Sequence, residues 1–292
     1  MLTYGSLFSG AGGIDIGLDN AGMSCKFQVE IDENCQQILQ YNWPNVLKFK
    51  DIKNVNGYDL PEVDLIAFGS PCQDLSTAGN KTGLYGNKSI LFYEATRIIK
   101  EMRAKTNGQY PKWSIWENVV GALSSNGGSD FGQVLREMDE AGAHFSEWAV
   151  LDAQYFGIPQ QRRRVYVISV YDSVIAKRCP EKIFSLSQGS DGNSSKSIKR
   201  EQKDSTEIAS CLRSGGQGGV PSSRGEHLVV ESEKRVRRLT PIEWERLMGW
   251  PDNHTLFRID GQTNSDTIRY KMCGNGAASP VVKWIADQIK EI

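Results

Sequence analysis

The chain has 292 residues, 39% of them hydrophobic and 24% charged, and its 34 basic and 35 acidic residues leave a formal net charge of −1. That is ordinary for a soluble globular protein with one large core and room for a small accessory domain. No run approaches the ~18 consecutive apolar residues of a membrane span, and the charge balance gives no global sign of nucleic-acid binding.

From the start, Leu2 to Phe8 reads as a strand, followed by a glycine-rich stretch and then Ile14 to Leu18 opening a helix. Cys25 to Ile31 reads as a second strand, and Asp32 as the N-cap of a helix running to Tyr41. Val63 to Phe68, Trp113 to Trp116, Glu147 to Leu151 and Val165 to Val170 read as strands, with helices over Ile90 to Ala104 and Asp130 to Ala141. Strands separated by helices predict an α/β fold: a mostly parallel sheet with helices on both faces.

After Val170 the composition shifts. Residues 171–233 are rich in Ser, Gly, Lys and Gln, which fits either a disordered linker or a loop-rich module. Short apolar stretches at Ile208 to Leu212 and His227 to Val230 favour a small ordered domain with strands there. Thr240-Pro241, with Glu243 three residues after the cap, predicts a helix start, and Ser279-Pro280 opens a final helix to Ile289 in the same way. The expected organisation is a catalytic unit, residues 1–170, completed by residues 234–292 after an inserted module at 171–233.

Four stretches carry candidate chemistry. Leu7-Phe8-Ser9-Gly10-Ala11-Gly12-Gly13 lies between a strand and a helix, where glycines admit a ligand close to the backbone and the helix start offers N–H groups. Glu30 stands at the end of the second strand, where a carboxylate can accept from ribose hydroxyls. The G-x-G-x-x-G pattern fails at Asp15, so a nucleoside without diphosphate fits at least as well as a dinucleotide.

The second stretch is Gly69-Ser70-Pro71-Cys72-Gln73, directly after a strand, which puts a thiol at the ligand-binding edge of a parallel sheet. The chain's six cysteines are scattered without a C-x-x-C pair, so neither a zinc site nor a disulfide framework is expected, and Cys72 is otherwise a small core residue. Third is Trp116-Glu117-Asn118-Val119 at another strand end, where the carboxylate is an acid, a base or a simple helix cap. Fourth is Gln160-Gln161-Arg162-Arg163-Arg164, whose alternate residues Gln160, Arg162 and Arg164 are expected to point together toward the Cys72 edge. Further basic clusters at Lys196 to Lys203 and Lys234 to Arg238 are either solvated faces or parts of a basic groove.

In this order the stretches resemble the motifs of the cytosine C5-specific DNA methyltransferases: the F-x-G-x-G-G loop, P-C-Q, E-N-V and Q-x-R-x-R. Arg237 to Pro251 is similar to the family's R-x-L-T-P-x-E…R-L-x-G-F-P segment, and Lys271 to Gly276 to its closing G-N motif. The resemblance covers the chain except 171–233, where this family carries its target recognition domain. Departures are Ser6 for an acidic residue, Ser70 for Phe, Lys50 for Gly, and Gly276 for Ser or Ala.

The resemblance implies a Rossmann-like methyltransferase sheet and an S-adenosylmethionine-dependent enzyme that flips cytosine out of double-stranded DNA. Cys72 would attack C6 of the base, making C5 nucleophilic. Glu117 would hydrogen-bond N3 and the exocyclic amine, a role that requires a protonated, water-poor carboxyl. Arg164 would favour the thiolate, and Arg162 would hold phosphate or the closed loop over residues 72–90. For the cofactor it implies Phe8, Gly10, Gly12 and Gly13, Glu30 with Ile31, Asp51 and Ile52, Pro71, Leu91, and Asn275 near the amino-acid end. No metal is expected. The protein is expected to be a cytoplasmic monomer in a prokaryotic or phage-infected cell, either paired with a separate cognate restriction endonuclease or a solitary or phage enzyme. The rival readings are a tRNA cytosine C5 methyltransferase, a catalytically silent DNA-binding relative, and an NAD oxidoreductase, which has no use for the Pro-Cys and Glu-Asn pairs.

Overall fold

A computed structural model describes residues 1–71, 90–179, 183–184, 228–231 and 235–292. Strands β1 (Thr3–Leu7), β2 (Ser24–Val29), β3 (Leu47–Phe49), β4 (Leu65–Phe68), β5 (Trp113–Val119), β6 (Phe145–Asp152) and β7 (Arg163–Val170) form one sheet in the order β3-β2-β1-β4-β5-β7-β6. The first five pair in parallel, as the helix-separated pattern predicts. β7 is the exception: it runs antiparallel to both β5 and β6. The chain passes from β6 to β7 through only a short 3-10 turn at Ala153–Phe156, with no crossover helix to bring it back parallel. Strand β3 was absent from the sequence reading, being three residues at the sheet edge with Leu47 exposed.

Alternate strand residues feed two separate cores, one on each face of the sheet. Tyr4, Leu65, Ala67, Ile115, Tyr166 and Ile168 pack with helices α1 (Gly13–Asn20) and α8 (Ser279–Glu291). Leu7, Ile66, Phe68, Trp116, Val165 and Val167 pack with α3 (Ile90–Lys105) and α4 (Ser129–Glu140). Helix α2 (Glu33–Asn42) follows β2, and the Asp32 side chain caps it as expected, accepting from the N–H groups of Asn34 and Cys35.

The short helix α5 (Ser173–Arg178) follows β7. Strands β8 (Leu228–Glu231) and β9 (Arg235–Arg238) pair antiparallel, bearing out the strand expected near His227 to Val230. The strand expected at Ile208 to Leu212 lies outside the described residues. α6 (Pro241–Leu247) opens with the full capping box of Thr240 and Glu243. α8 starts at Ser279 as expected, but Ser279 does not cap it: Ala278 is the N-cap, and the Ser279 hydroxyl bonds the carbonyl of Gly249 at 2.7 Å. α7 (Asp266–Asn275) runs toward the carboxyl edge of the sheet. No helix among the described residues is long and apolar enough to cross a membrane.

Candidate cofactor and active site

The carboxyl ends of β1, β2, β4 and β5 open onto a cavity of about 1120 Å³. In the glycine loop, Phe8 and Gly10 take left-handed backbone angles, with φ of 55° and 56°. Both line the cavity, and a β-carbon on Gly10 would meet nothing within 4 Å, so the loop presents open space there. Gly12 and Gly13, grouped with them from sequence, do not line it. A β-carbon on Gly12 would strike the Trp43 ring at 2.5 Å, and one on Gly13 would strike the Ala277 carbonyl at 2.6 Å. Their smallness serves packing behind the loop.

Glu30 follows β2 directly and joins this loop to α2. One carboxylate oxygen accepts from the N–H of Gly10 at 2.7 Å, the other from the N–H of Asp32 at 2.8 Å. A carboxylate offers about four lone-pair sites, so two remain for a ligand. Burial pushes its pKa above the ordinary glutamate range, with the two N–H bonds opposing that shift. Asp51 caps a 3-10 turn at Ile52–Asn54, and it lines the same cavity with Ile52 and the exposed Ile31. Leu91 and Asn275, the last residue of α7, line it too.

The second half of the site is built at β4, β5 and β7. Gly69, Ser70 and Pro71 leave β4 along the cavity wall. Cys72, the next residue, lies outside the described residues. Ser70 is fixed from the neighbouring strand: its hydroxyl accepts from Trp116 Nε1 at 3.0 Å and its carbonyl from Asn118 Nδ2 at 3.3 Å. Glu117 sits between these two, and its Oε2 lies 3.2 Å from where a β-carbon on Gly69 would be. Glu117 Oε1 faces Arg164 Nε at 3.3 Å, with the two side chains 14% and 15% exposed. β5 and β7 bring them together, since Arg164 pairs across the ladder with Val119.

Of the three residues expected to point together, Arg162 and Arg164 line the cavity with Gly69, Ser70 and Pro71, and Gln160 does not. Arg164 meets Glu117, whereas Gln160 donates to the carbonyl of Leu247 at 2.6 Å, and Arg162 to the carbonyls of Gly274 and Gly276. Twelve of the fifteen residues singled out from sequence therefore share one cavity; Gly12 and Gly13 stand behind it, and Cys72 is undescribed.

Sequence reading missed three contributors. Lys271 bonds Asp32 at 2.9 Å, tying α7 to the start of α2 across the cavity rim. Asn118 anchors Ser70. His254 Nε2 lies 2.6 Å from the Ala11 carbonyl, and burial lowers the imidazole pKa, so a neutral ring donates to the glycine loop. The E-N pair was a signal for Asn118, and Lys271 opens the stretch similar to the closing G-N motif; nothing local marks His254. Among the described residues there is no cluster of His, Cys, Asp and Glu able to hold a metal ion.

The chain matches the sequence model of the C-5 cytosine-specific DNA methylase family over residues 2–217 and 185–291. It belongs to that family. It is 27% identical to the type II methyltransferase M.HpaII of Haemophilus parainfluenzae, over 99% of this chain and 89% of that protein. With the type II methyltransferase M.HhaI of Haemophilus parahaemolyticus it shares 26% identity over 99% of this chain and 94% of the other. Among solved structures, the Dnmt2 methyltransferase of S. pombe superposes with a TM-score of 0.71 at 18% identity, covering 100% of this chain and 99% of that one. That likeness establishes the Rossmann-like methyltransferase fold. Family membership makes the chain a DNA cytosine C5 methyltransferase, and the family uses S-adenosylmethionine.

Proposed function

We propose that the cavity holds S-adenosylmethionine at its Glu30 end and a flipped cytosine at its Glu117 end, and that Cys72 is the nucleophile. The observation that carries this reading is the meeting of three features in one cavity. They are the Glu30 carboxylate with acceptor sites to spare, the Glu117–Arg164 pair, and the Gly69–Pro71 stretch that leads straight to Cys72. The residues present suit the cofactor: Glu30 would take the ribose hydroxyls, Asp51 and Ile52 the adenine, Phe8, Pro71 and Leu91 the apolar walls, and Asn275 the amino-acid end. When bound, the cofactor supplies an electrophilic methyl group.

The chain's own groups prepare the acceptor. The Cys72 thiolate adds to C6 of the base, which places electron density on C5. A free thiol is only a few per cent ionised at pH 7, so the guanidinium of Arg164 favours the reactive form. Glu117 hydrogen-bonds the N3 and amine edge as charge shifts onto the ring. After C5 takes the methyl group, a base removes the C5 proton and the C6–sulfur bond breaks, restoring the thiolate and the aromatic ring. The target reaches this site only by leaving the duplex, at a cost of a few kcal/mol. Residues 171–233 would supply the base contacts that select a sequence, and the protein would act as a monomer.

Transfer of labelled methyl from S-adenosylmethionine tests this, with duplex DNA and tRNA offered in parallel and bisulfite sequencing of the DNA product. Label at C5 of cytosine in one duplex sequence is expected. Label in tRNA alone would move the assignment to the RNA enzyme, and no label in either would favour the silent relative.

A further inference from the structure

We infer that Arg162 is a positioning residue for the cofactor pocket, fixing the turn that presents Asn275. The inference rests on the reading above that Asn275 meets the amino-acid end of S-adenosylmethionine.

Arg162 immediately precedes β7 and is 3% exposed. Its Nη2 donates to the Gly274 carbonyl at 3.2 Å and to the Gly276 carbonyl at 2.6 Å, the two residues that flank Asn275. Helix α7 ends at Asn275, where the last carbonyls have no partner within the helix and the helix dipole presents its negative end. A buried cation bridging those carbonyls makes charge-assisted bonds. With the carbonyls on both sides held, the direction in which the residue between them leaves the backbone is set.

The neighbouring alternate residues show the same division of labour. Gln160 donates to the Leu247 carbonyl at the end of α6, so Gln160 and Arg162 together fasten the returning segment 241–292 to the entrance of β7. Arg164, two residues further on, meets Glu117. Among the described residues, Gln160 and Arg162 thus hold the C-terminal segment, and Arg164 faces the Glu117 carboxylate.

The test is a double-mutant cycle on the full-length enzyme, with S-adenosylmethionine affinity from calorimetry and kcat at saturating cofactor and duplex DNA. Arg162→Met should weaken cofactor binding roughly tenfold or more while kcat stays within about threefold, and Arg162→Lys, keeping charge but not the guanidinium fork, should fall between. Asn275→Ala should show the same split. The double variant Arg162→Met/Asn275→Ala should bind about as weakly as the poorer single variant, because the two act as a unit. Loss of kcat of about a hundredfold with unchanged affinity in Arg162→Met would overturn the inference, as would additive losses in the double variant. If Arg162→Met does not fold, Arg162→Lys decides on the same two readouts. Unchanged affinity in Asn275→Ala would instead show that the assignment of Asn275 itself is wrong.

Discussion

The indole of Trp250 fills the space that a β-carbon on residue 276 would need. Built on Gly276, that carbon would lie 2.4 Å from the ring, which is itself pinned by Trp250 Nε1 donating to the Ala277 carbonyl at 3.1 Å. The Gly276 departure from the family motif is thereby accounted for: the Trp250 ring occupies the place of the side chain that Ser or Ala would bring. Gly276→Ala should destabilise the protein by roughly 1–3 kcal/mol through overpacking. Trp250→Phe/Gly276→Ala should recover most of that loss in chemical denaturation. A Gly276→Ala variant as stable as the parent would show that the ring moves freely.

Glu30 holds the glycine loop and the start of α2 with its two oxygens, so an amide there must set a donor against one of two N–H groups. Glu30→Gln should weaken S-adenosylmethionine binding by about 1.5–3 kcal/mol, the range for hydrogen bonds to a charged group, with a smaller change in kcat at saturation. Because burial raises this carboxyl's pKa, affinity should begin to fall at a higher pH than an ordinary glutamate would give, as protonation removes acceptor sites. Calorimetric titration from pH 8 to pH 5 measures both effects.

Asp15 is fully buried beneath the same loop, and burial pushes its pKa up to about 6, against bonds from Gln28 at 2.8 Å and Ser6 at 3.1 Å. Its raised folded pKa means that the native state binds more protons than the unfolded state between the two values. Stability from this group is therefore present at low pH and is lost as pH rises from the ordinary aspartate range to about 6, with no further loss above that. Asp15→Asn keeps an acceptor for Gln28 and a donor for Ser6 without the buried charge. Its stability relative to the parent should improve by up to ~3 kcal/mol between pH 4 and pH 7.5, from about two pKa units. Denaturant unfolding at those two pH values decides it, and an equal effect at both would contradict the assignment.

Of the cations lining the cavity, Lys50 pairs with Glu33, Lys271 with Asp32 and Arg164 with Glu117, while Arg162 is held by carbonyls. Arg163 is exposed on the same rim and, among the described residues, has no acidic partner. It is suited to a DNA phosphate. Arg163→Ala should weaken duplex binding alike on target and non-target sequences and lower the slope of log affinity against log salt by about 0.9. Its affinity for S-adenosylmethionine should not change.

Much of this was legible in the sequence because it is encoded locally. The cap at Asp32 and the capping box at Thr240 are short-range hydrogen-bond patterns, and the strand-end motifs must fall at the carboxyl edge of a parallel sheet. The reversed direction of β7 was not read, because an apolar run such as Val165 to Val170, buried on both faces, looks alike in either direction. The signal was present, however: Asp152 and Arg163 are joined without a crossover α-helix. The Lys271–Asp32 tie joins residues 239 apart, and the commitment of Arg162 to α7 joins residues more than 100 apart. Neither leaves a mark on its own neighbourhood in the sequence. Gly12 and Gly13 were grouped with the pocket because a motif records that glycine is needed, not which neighbour needs it.

Covalent trapping on a duplex whose target cytosine carries fluorine at C5 tests the central chemistry most directly. Fluorine leaves no proton at C5 to remove, so once the methyl group has moved, the C6–sulfur bond cannot break by the normal route. With S-adenosylmethionine present, a denaturation-resistant protein–DNA adduct is expected, with the modification on the peptide that contains Cys72 and none in Cys72→Ser. An enzyme that methylates ordinary duplex but yields no adduct, or an adduct that persists in Cys72→Ser, would contradict it.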